Sequence, residues 1–287
     1  MMAQKLGVPI DLVVKFGGSA ITDKHQLESL RKDNLVSAAA TISHCVDHGL
    51  RCVVVHGAGS FGHHHAKDYE VNSGLHGTAE EVKRRKYGMC LTRLSVTKLN
   101  HEVVRSLVDV KVNAIGMSAI GVWVADNGEI FRHGVNGILE LLDNGFVPVL
   151  HGDCVLDASK GCGILSGDVI IKTLCKEHLV NRVVFLSDVT GVFDKPPSET
   201  DAKHIPKICV DGNGRIMSAI STSCSQHDVT GGMLLKIRTA TDIVTNSGGK
   251  TNVYIAKVGS NSVNAICLGQ DMENLDQTTL TEIVYQT

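Results

Sequence analysis

The chain has 287 residues, 43% of them apolar and 20% charged, and 28 Lys and Arg against 30 Asp and Glu leave a net charge of -2. That balance permits a sizeable core, excludes wholesale disorder, and lacks the excess positive charge of a general nucleic-acid binder. No apolar run approaches the roughly 18 residues that span a bilayer. Residues 1–9 lack a signal-peptide core, and nine cysteines without a C-x-x-C pair suggest neither a zinc ribbon nor a disulfide framework. A reduced, cytoplasmic protein with no membrane or nucleic-acid partner is expected.

In chain order, short Val- and Ile-rich runs end in glycine or polar turns and read as buried strands. They are residues 11–16 before Gly17-Gly18-Ser19, 51–55 before His56-Gly57-Ala58-Gly59, and 114–117. Further on come 146–150 before His151-Gly152-Asp153, 182–186 before Ser187-Asp188, and 252–256. Between them, 27–48, 78–108, 135–144, 167–178 and 231–246 are long enough for helices. The alternation predicts an α/β fold with an open, mostly parallel sheet sandwiched between helices. Residues 121–134 and 153–163, rich in glycine and charge, read as hairpins outside the core, and 198–204 as loop. In such sheets ligands sit beyond the carboxyl ends of the strands, where the glycines of this chain cluster.

Gly57-Ala58-Gly59-Ser60-Phe61-Gly62 fits G-x-G-x-x-G after a strand. A dinucleotide site would also need an acid closing a second strand about 20 residues on. Residues 77–86 are polar and basic instead, so the loop reads as an anion cradle, with a merely tight turn as the alternative, rather than a nicotinamide site. Lys15 ends a buried strand, where an unpaired ammonium is costly, so a carboxylate or a phosphate should meet it. A lysine that snorkels to water beside an ordinary Gly-Gly turn is the alternative, and spacing leaves both open. Asp228-Val229-Thr230-Gly231-Gly232-Met233 reads as a turn opening a helix, with Lys236 in its first turns, where anions are favoured, although taken alone the residue reads more readily as a solvated helix lysine. His63-His64-His65 is a poor metal site because adjacent side chains diverge, and no metal centre is expected. His44 and His48 read as structural. Lys83-Arg84-Arg85-Lys86 follows Glu80 and Glu81 on one helix and reads as a solvated face. Cys90, Cys175 and Cys267 read as buried filler.

Taken in order, these segments resemble the amino acid kinase superfamily, and within it the isopentenyl phosphate kinases. The likeness rests on Lys15-Phe16-Gly17-Gly18-Ser19, Ile21-Thr22-Asp23-Lys24 and His56-Gly57-Ala58-Gly59-Ser60-Phe61-Gly62-His63. It continues through Pro148-Val149-Leu150-His151-Gly152-Asp153, Leu165-Ser166-Gly167-Asp168, Ser187-Asp188-Val189-Thr190-Gly191-Val192-Phe193 and the Asp228–Met233 turn. Ile21-Thr22-Asp23-Lys24 together with Gly-Ser-Phe-Gly-His marks the phosphate-accepting branch.

The resemblance implies ATP-dependent phosphorylation of isopentenyl phosphate to isopentenyl diphosphate, with Mg²⁺, by a homodimer. It implies one domain over 1–287, in which roughly 1–180 bind the acceptor and 181–287 the nucleotide. Lys15, Lys24 and Lys236 would neutralise the moving phosphoryl group, and Asp168 would hold the lysines in position. Gly17, Gly18, Ser19, Gly59, Asp188, Gly191 and Gly231 would lie along the nucleotide. His63 would bind the acceptor phosphate, helped by the Ala58 and Gly152 backbone. No general base is needed, since an acceptor phosphate is already ionised near neutral pH. For the prenyl tail, Met89, Leu91, Leu94, Val96 and Leu99 offer one candidate face, with plain helix packing as the alternative. Other readings are a superfamily kinase acting on a carboxylate, carbamate or nucleotide, and a catalytically silent relative that senses prenyl phosphates.

Overall fold

A computed structural model describes residues 7–217, 231–270 and 275–286. The chain runs β1 (Leu12–Phe16), α1 (Gly18–Ile21), α2 (Lys32–Asp47), β2 (Cys52–His56), α3 (Gly59–Asp68), α4 (Ala79–Asp109) and β3 (Ala114–Gly116). It continues through β4 (Val124–Asp126), β5 (Glu129–Arg132), α5 (Val135–Asp143), β6 (Val147–His151), β7 (Asp153–Asp157), β8 (Gly161–Leu165) and α6 (Gly167–Glu177). The last part comprises β9 (Arg182–Ser187), β10 (Val192–Phe193), β11 (His204–Ile205), β12 (Lys207–Val210), α7 (Gly231–Asn246), β13 (Asn252–Lys257), α8 (Ser262–Leu268) and β14 (Leu280–Tyr285).

The two-residue period of β1 divides the molecule into layers. Leu12, Val14 and Phe16 pack with Leu35, Leu99 and Ile266 of α2, α4 and α8. Val13 packs on the other face with Ile138, Ile171 and Ile243 of α5, α6 and α7. Between the layers lies an eight-stranded sheet in the order β12-β14-β13-β9-β1-β2-β6-β3. Its pairings are parallel except for β13 with β14. β1 touches β2 on one side and β9 on the other. The strand order turns there, and such a point opens a crevice beyond the carboxyl ends. The mostly parallel sandwich is as expected.

Some expectations need correction. The helix expected over 27–48 starts only at Lys32, because Glu28 adopts a left-handed φ of 53° that no helix interior accepts. The two stretches expected outside the core pair into a second sheet, β5-β4-β7-β8. Trp123 and Val155 from them are buried in the main core. Asn127-Gly128 turns the first hairpin, with positive φ at both positions as a tight hairpin demands. Cys90 is exposed and Cys175 half-buried, since both lie on helix surfaces rather than on the sheet. β14 and α8, near the end of the chain, escaped the pattern of isolated apolar runs.

Candidate active site

A cleft of about 440 Å³ opens at the carboxyl edge of the sheet. Lys15 reaches it by parity: like Val13 it lies on the α6 side of β1, and its ammonium meets Asp168 in the first turn of α6. Both residues are only 6% exposed, so the lysine does not snorkel to water, and of the two partners expected for it, a carboxylate or a phosphate, the carboxylate is present. Ser166 caps α6 by accepting a bond from the Val169 N–H at 3.2 Å. The second carboxylate oxygen of Asp168, Oδ1, is buried without a protein partner.

Two glycine turns, one after β1 and one after β2, press against each other. A Cβ on Gly18 would stand 2.7 Å from the Gly59 nitrogen, and one on Gly57 2.7 Å from the Gly18 nitrogen. Gly59 also has a φ of +50° and faces the Thr22 side chain, so only glycine fits. These glycines therefore serve loop-to-loop contact as well as approach to an anion. The Gly17 N–H donates to the Leu186 carbonyl at 2.9 Å and the Gly152 N–H to the His56 carbonyl at 2.9 Å. Neither is free for a ligand, which corrects the expectation that both offer backbone donors. The N–H groups of Gly18, Ser19, Ala58 and Gly59 have no backbone acceptor among the described residues, and all four residues border the cleft.

Lys236, half-buried on the second turn of α7, lines the same cleft. Burial lowers its pKa and Lys15 adds to this, while Asp188 and Asp168 oppose. Lys24 stands exposed at the rim. Asp188 accepts from Ser19 Oγ at 3.1 Å and from Ser187 Oγ at 3.3 Å. Burial raises the pKa of its carboxyl, but its own N–H, Lys24, Ser19 and Lys236 together hold it below the ordinary value. Gly191 completes this side. Its φ is +151° and a Cβ would strike His204 and Thr281 at 2.6 Å. Gly231 opens α7 and its neighbour Gly232 lines the cleft, whereas Asp228, Val229 and Thr230 lie outside the described residues.

On the opposite side Ala58, His63 and Gly152 border the cleft. Burial lowers the pKa of His63, with His64 and Lys24 pushing the same way, which favours the neutral imidazole with its single N–H. Of the five residues named for a tail-binding face, Val96 lines the cleft, joined by Thr92 from the same helix. Leu94, two positions from Val96 and so on the other side of α4, is 71% exposed, and Leu99, one turn further along the buried face, belongs to the core.

The sequence reading missed two groups. Phe193, Lys195, Pro196 and Pro197 border the cleft with Asp188 and Gly191. Asn100, Asp153 and Arg93 form, with His56 and His151, a buried polar cluster behind the other side. Histidines ending two neighbouring buried strands were the available signal for the second group. The basic run on α4 is tied locally, Arg84 and Arg85 each reaching Glu70 at 3.4 Å.

Among the described residues no group of three His, Cys, Asp or Glu side chains is placed to hold a metal. Magnesium bound with nucleotide needs only one or two carboxylates beside phosphate oxygens and water. The orphaned Oδ1 of Asp168 and the Asp188 carboxylate fit that demand.

The profile of the amino acid kinase family matches residues 12–257. The isopentenyl phosphate kinase of Arabidopsis thaliana is 36% identical, the alignment covering 88% of each chain. That of Methanothermobacter thermautotrophicus is 32% identical over 91% of this chain and 96% of its own. A solved isopentenyl phosphate kinase structure superposes with a TM-score of 0.75 at 27% identity, covering 95% of this chain and 98% of the other.

Proposed function

The chain belongs to the amino acid kinase family, and from that premise we propose that it acts within it as an isopentenyl phosphate kinase. It transfers the terminal phosphoryl group of ATP to isopentenyl phosphate, giving ADP and isopentenyl diphosphate. The observation that carries the residue-level reading is the meeting of Lys15, Lys236, Lys24 and His63 around one cleft, although 221 positions separate the first two lysines.

Phosphoryl transfer asks for alignment and for neutralising charge on the oxygens of the moving group. Lys15 and Lys236 flank that group, Lys24 closes over it from the rim, and Asp168 keeps the Lys15 ammonium in place. The free N–H groups of Gly18, Ser19 and Gly59 complete the cradle. On the other side the His63 imidazole and the Ala58 N–H hold the acceptor phosphate, with Thr92 and Val96 at the start of an apolar path for its tail. The acceptor oxygen is the nucleophile: it forms the new P–O bond as the bond to ADP breaks, and it needs no base because it is already ionised. Asp168 and Asp188 would hold a magnesium ion carried by the nucleotide, which would neutralise charge on the β- and γ-oxygens.

The nucleotide half then falls in residues 181–287 and the acceptor half in 1–180, a division that matches the step from β1 to β9 in the sheet. A homodimer is part of the same reading, supported by Tyr87 and Leu94, seven residues apart on α4 and both exposed. A cytoplasmic location is also part of it, and no helix among the described residues is long and apolar enough to cross a membrane.

An acceptor panel tests the reading directly. ADP release is measured with isopentenyl phosphate, acetylglutamate, carbamate or UMP as the second substrate. Turnover should appear with isopentenyl phosphate and not with the others. Equal or faster turnover with a carboxylate would replace the proposed acceptor class, and no ADP release with any acceptor would leave a silent binder.

A further inference from the structure

Behind the acceptor side lies a buried polar cluster that no step of the transfer uses. His56 and His151 end β2 and β6, which are neighbours paired residue for residue, His56 opposite His151. By strand parity both point to the α4 side of the sheet, with Val54 and Val149. Their rings stack at 5.4 Å between centroids and 23° between planes. His56 Nδ1 lies 3.0 Å from the carbonyl oxygen of Gly57, and His151 Nδ1 3.0 Å from that of Gly152.

A carbonyl oxygen only accepts, so each Nδ1 must carry the hydrogen. The remaining nitrogen of His56, Nε2, is then an acceptor, and Asn100 Nδ2 donates to it at 3.1 Å. Asn100 comes from α4, the helix that lends Thr92 and Val96 to the cleft wall. The same helix sends Arg93 to the buried carboxylate of Asp153 at 2.5 Å, next to His151. His56 is fully buried, so its own hydrogen bonds do not compete with water.

The consequence lies in the peptide that follows. The Gly57 carbonyl and the Ala58 N–H belong to one trans peptide and so point in opposite directions. Holding the carbonyl back toward the imidazole turns the N–H toward the cleft, which Ala58 lines and where that N–H has no backbone acceptor. The Gly152 N–H, bonded to the His56 carbonyl, ties the second acceptor turn to the same residue.

We propose that His56 is a positioning residue for the acceptor phosphate: its Nδ1–H fixes the Gly57–Ala58 peptide so that the Ala58 N–H is presented to the acceptor, with Asn100 and the stacked His151 holding the ring in that tautomer and plane. The proposal rests on the assignment of this side of the cleft to the acceptor.

The test separates the KM of the acceptor from that of ATP. His56→Phe keeps an aromatic ring for stacking but removes the donor, and it should raise the KM for isopentenyl phosphate about tenfold, the worth of one lost hydrogen bond. The KM for ATP should stay within about twofold. His56→Asn, whose Nδ2 replaces Nδ1, should recover most of the loss. Ala58→Pro deletes the presented N–H at a φ of -71° that proline accepts. In that background His56→Phe should cause no further rise, because the two changes remove one interaction.

A parallel rise in the KM for ATP, failure of His56→Asn to rescue, or additivity with Ala58→Pro would each overturn the proposal. Should His56→Phe not fold, Asn100→Leu takes its place: it releases Nε2 and should raise the acceptor KM alone, and an unchanged acceptor KM there overturns the proposal equally. The underlying functional reading fails separately, in the unmodified protein, if isopentenyl phosphate is not phosphorylated at all.

Discussion

On the proposed reading, the two ends of the cleft hold phosphate by opposite means. The nucleotide end gathers Lys15, Lys24 and Lys236 with Asp168 and Asp188, so charge faces charge. The acceptor end offers the His63 imidazole, the Ala58 N–H and, behind them, two more imidazoles whose pKa burial lowers. The contrast follows from the chemistry proposed for each end. Charge spreads over the moving phosphoryl group during transfer, and cations stabilise it where it grows. The acceptor oxygen must stay a nucleophile, and a neutral donor orients it without withdrawing its electrons as an ammonium would.

The largest effect that would break this comparison sits in the buried ion pair. Lys15→Ala should lower kcat by about a thousandfold, as losses of transition-state charge stabilisation do. It should also destabilise the fold by about 3–5 kcal/mol, because Asp168 is left buried and uncompensated. A Lys15→Met, Asp168→Asn double variant separates the two roles. It should recover most of the stability and none of the turnover, as thermal melts and a coupled ADP assay would read. Recovery of both would mean that the pair serves folding alone.

Acid should find the acceptor end first. Burial pushes the pKa of His56 down to about 3, with the neighbouring His151 adding to the shift, and burial also lowers that of His151. The unfolded chain, with ordinary histidines near pH 6.5, therefore binds more protons below that value. The stability these groups contribute is complete above about 6.5 and is lost as pH falls toward 3, by at most about 1.4 kcal/mol per pH unit for each histidine. Asp153, whose pKa is raised by burial against the pull of His151 and Arg93, works the other way and softens the decline. Urea midpoints at pH 7, 6, 5 and 4 should fall accordingly, and less steeply in His56→Phe. An identical acid limb in that variant would show that the loss arises elsewhere.

His63→Ala should raise the acceptor KM about tenfold while the KM for ATP barely moves, as expected when one neutral donor is lost. His63→Asn, which keeps an N–H, should lie between. Equal changes in both constants would place His63 outside the acceptor end.

Much of this contrast was legible in the residues. Val-rich runs ending in glycine marked the strands, and the cost of a buried ammonium at Lys15 called for a carboxylate or a phosphate, of which Asp168 supplies the first. Lys24, Lys236, His63 and Asp188 were named through the family resemblance, and all border the cleft. What stayed hidden depends on tertiary register. That the N–H groups of Gly17 and Gly152 are already bonded follows from which strand lies beside which. That Gly18 and Gly59 touch each other depends on two loops far apart in the chain. The His56–His151 pair needs β2 and β6 to be neighbours, which chain order alone does not say. The hairpin strands failed as surface elements because composition averages their polar turns with a buried Trp123 and Val155.

The smallest expected effect sharpens the comparison most finely, because it touches charge at the nucleotide end without removing any. Ser19 Oγ donates to Asp188 Oδ1 at 3.1 Å, and Ser187 Oγ reaches the same oxygen at 3.3 Å. Ser19→Ala therefore takes away one of two hydroxyl donors from a half-buried carboxylate and leaves the backbone N–H of residue 19 in place. A partly compensated loss of this kind is worth about 0.5–1 kcal/mol, or a two- to fivefold rise in the KM for ATP. The acceptor KM should not move, since Ser19 borders only the nucleotide turn. With one donor fewer, the Asp188 carboxyl also titrates at a somewhat higher pH, so the KM for ATP should worsen more at pH 5 than at pH 7. A shift in the acceptor KM of similar size would mean that the two ends are coupled through the Gly18–Gly59 contact rather than independent, and Ser19→Gly, which further loosens that turn, should then enlarge it.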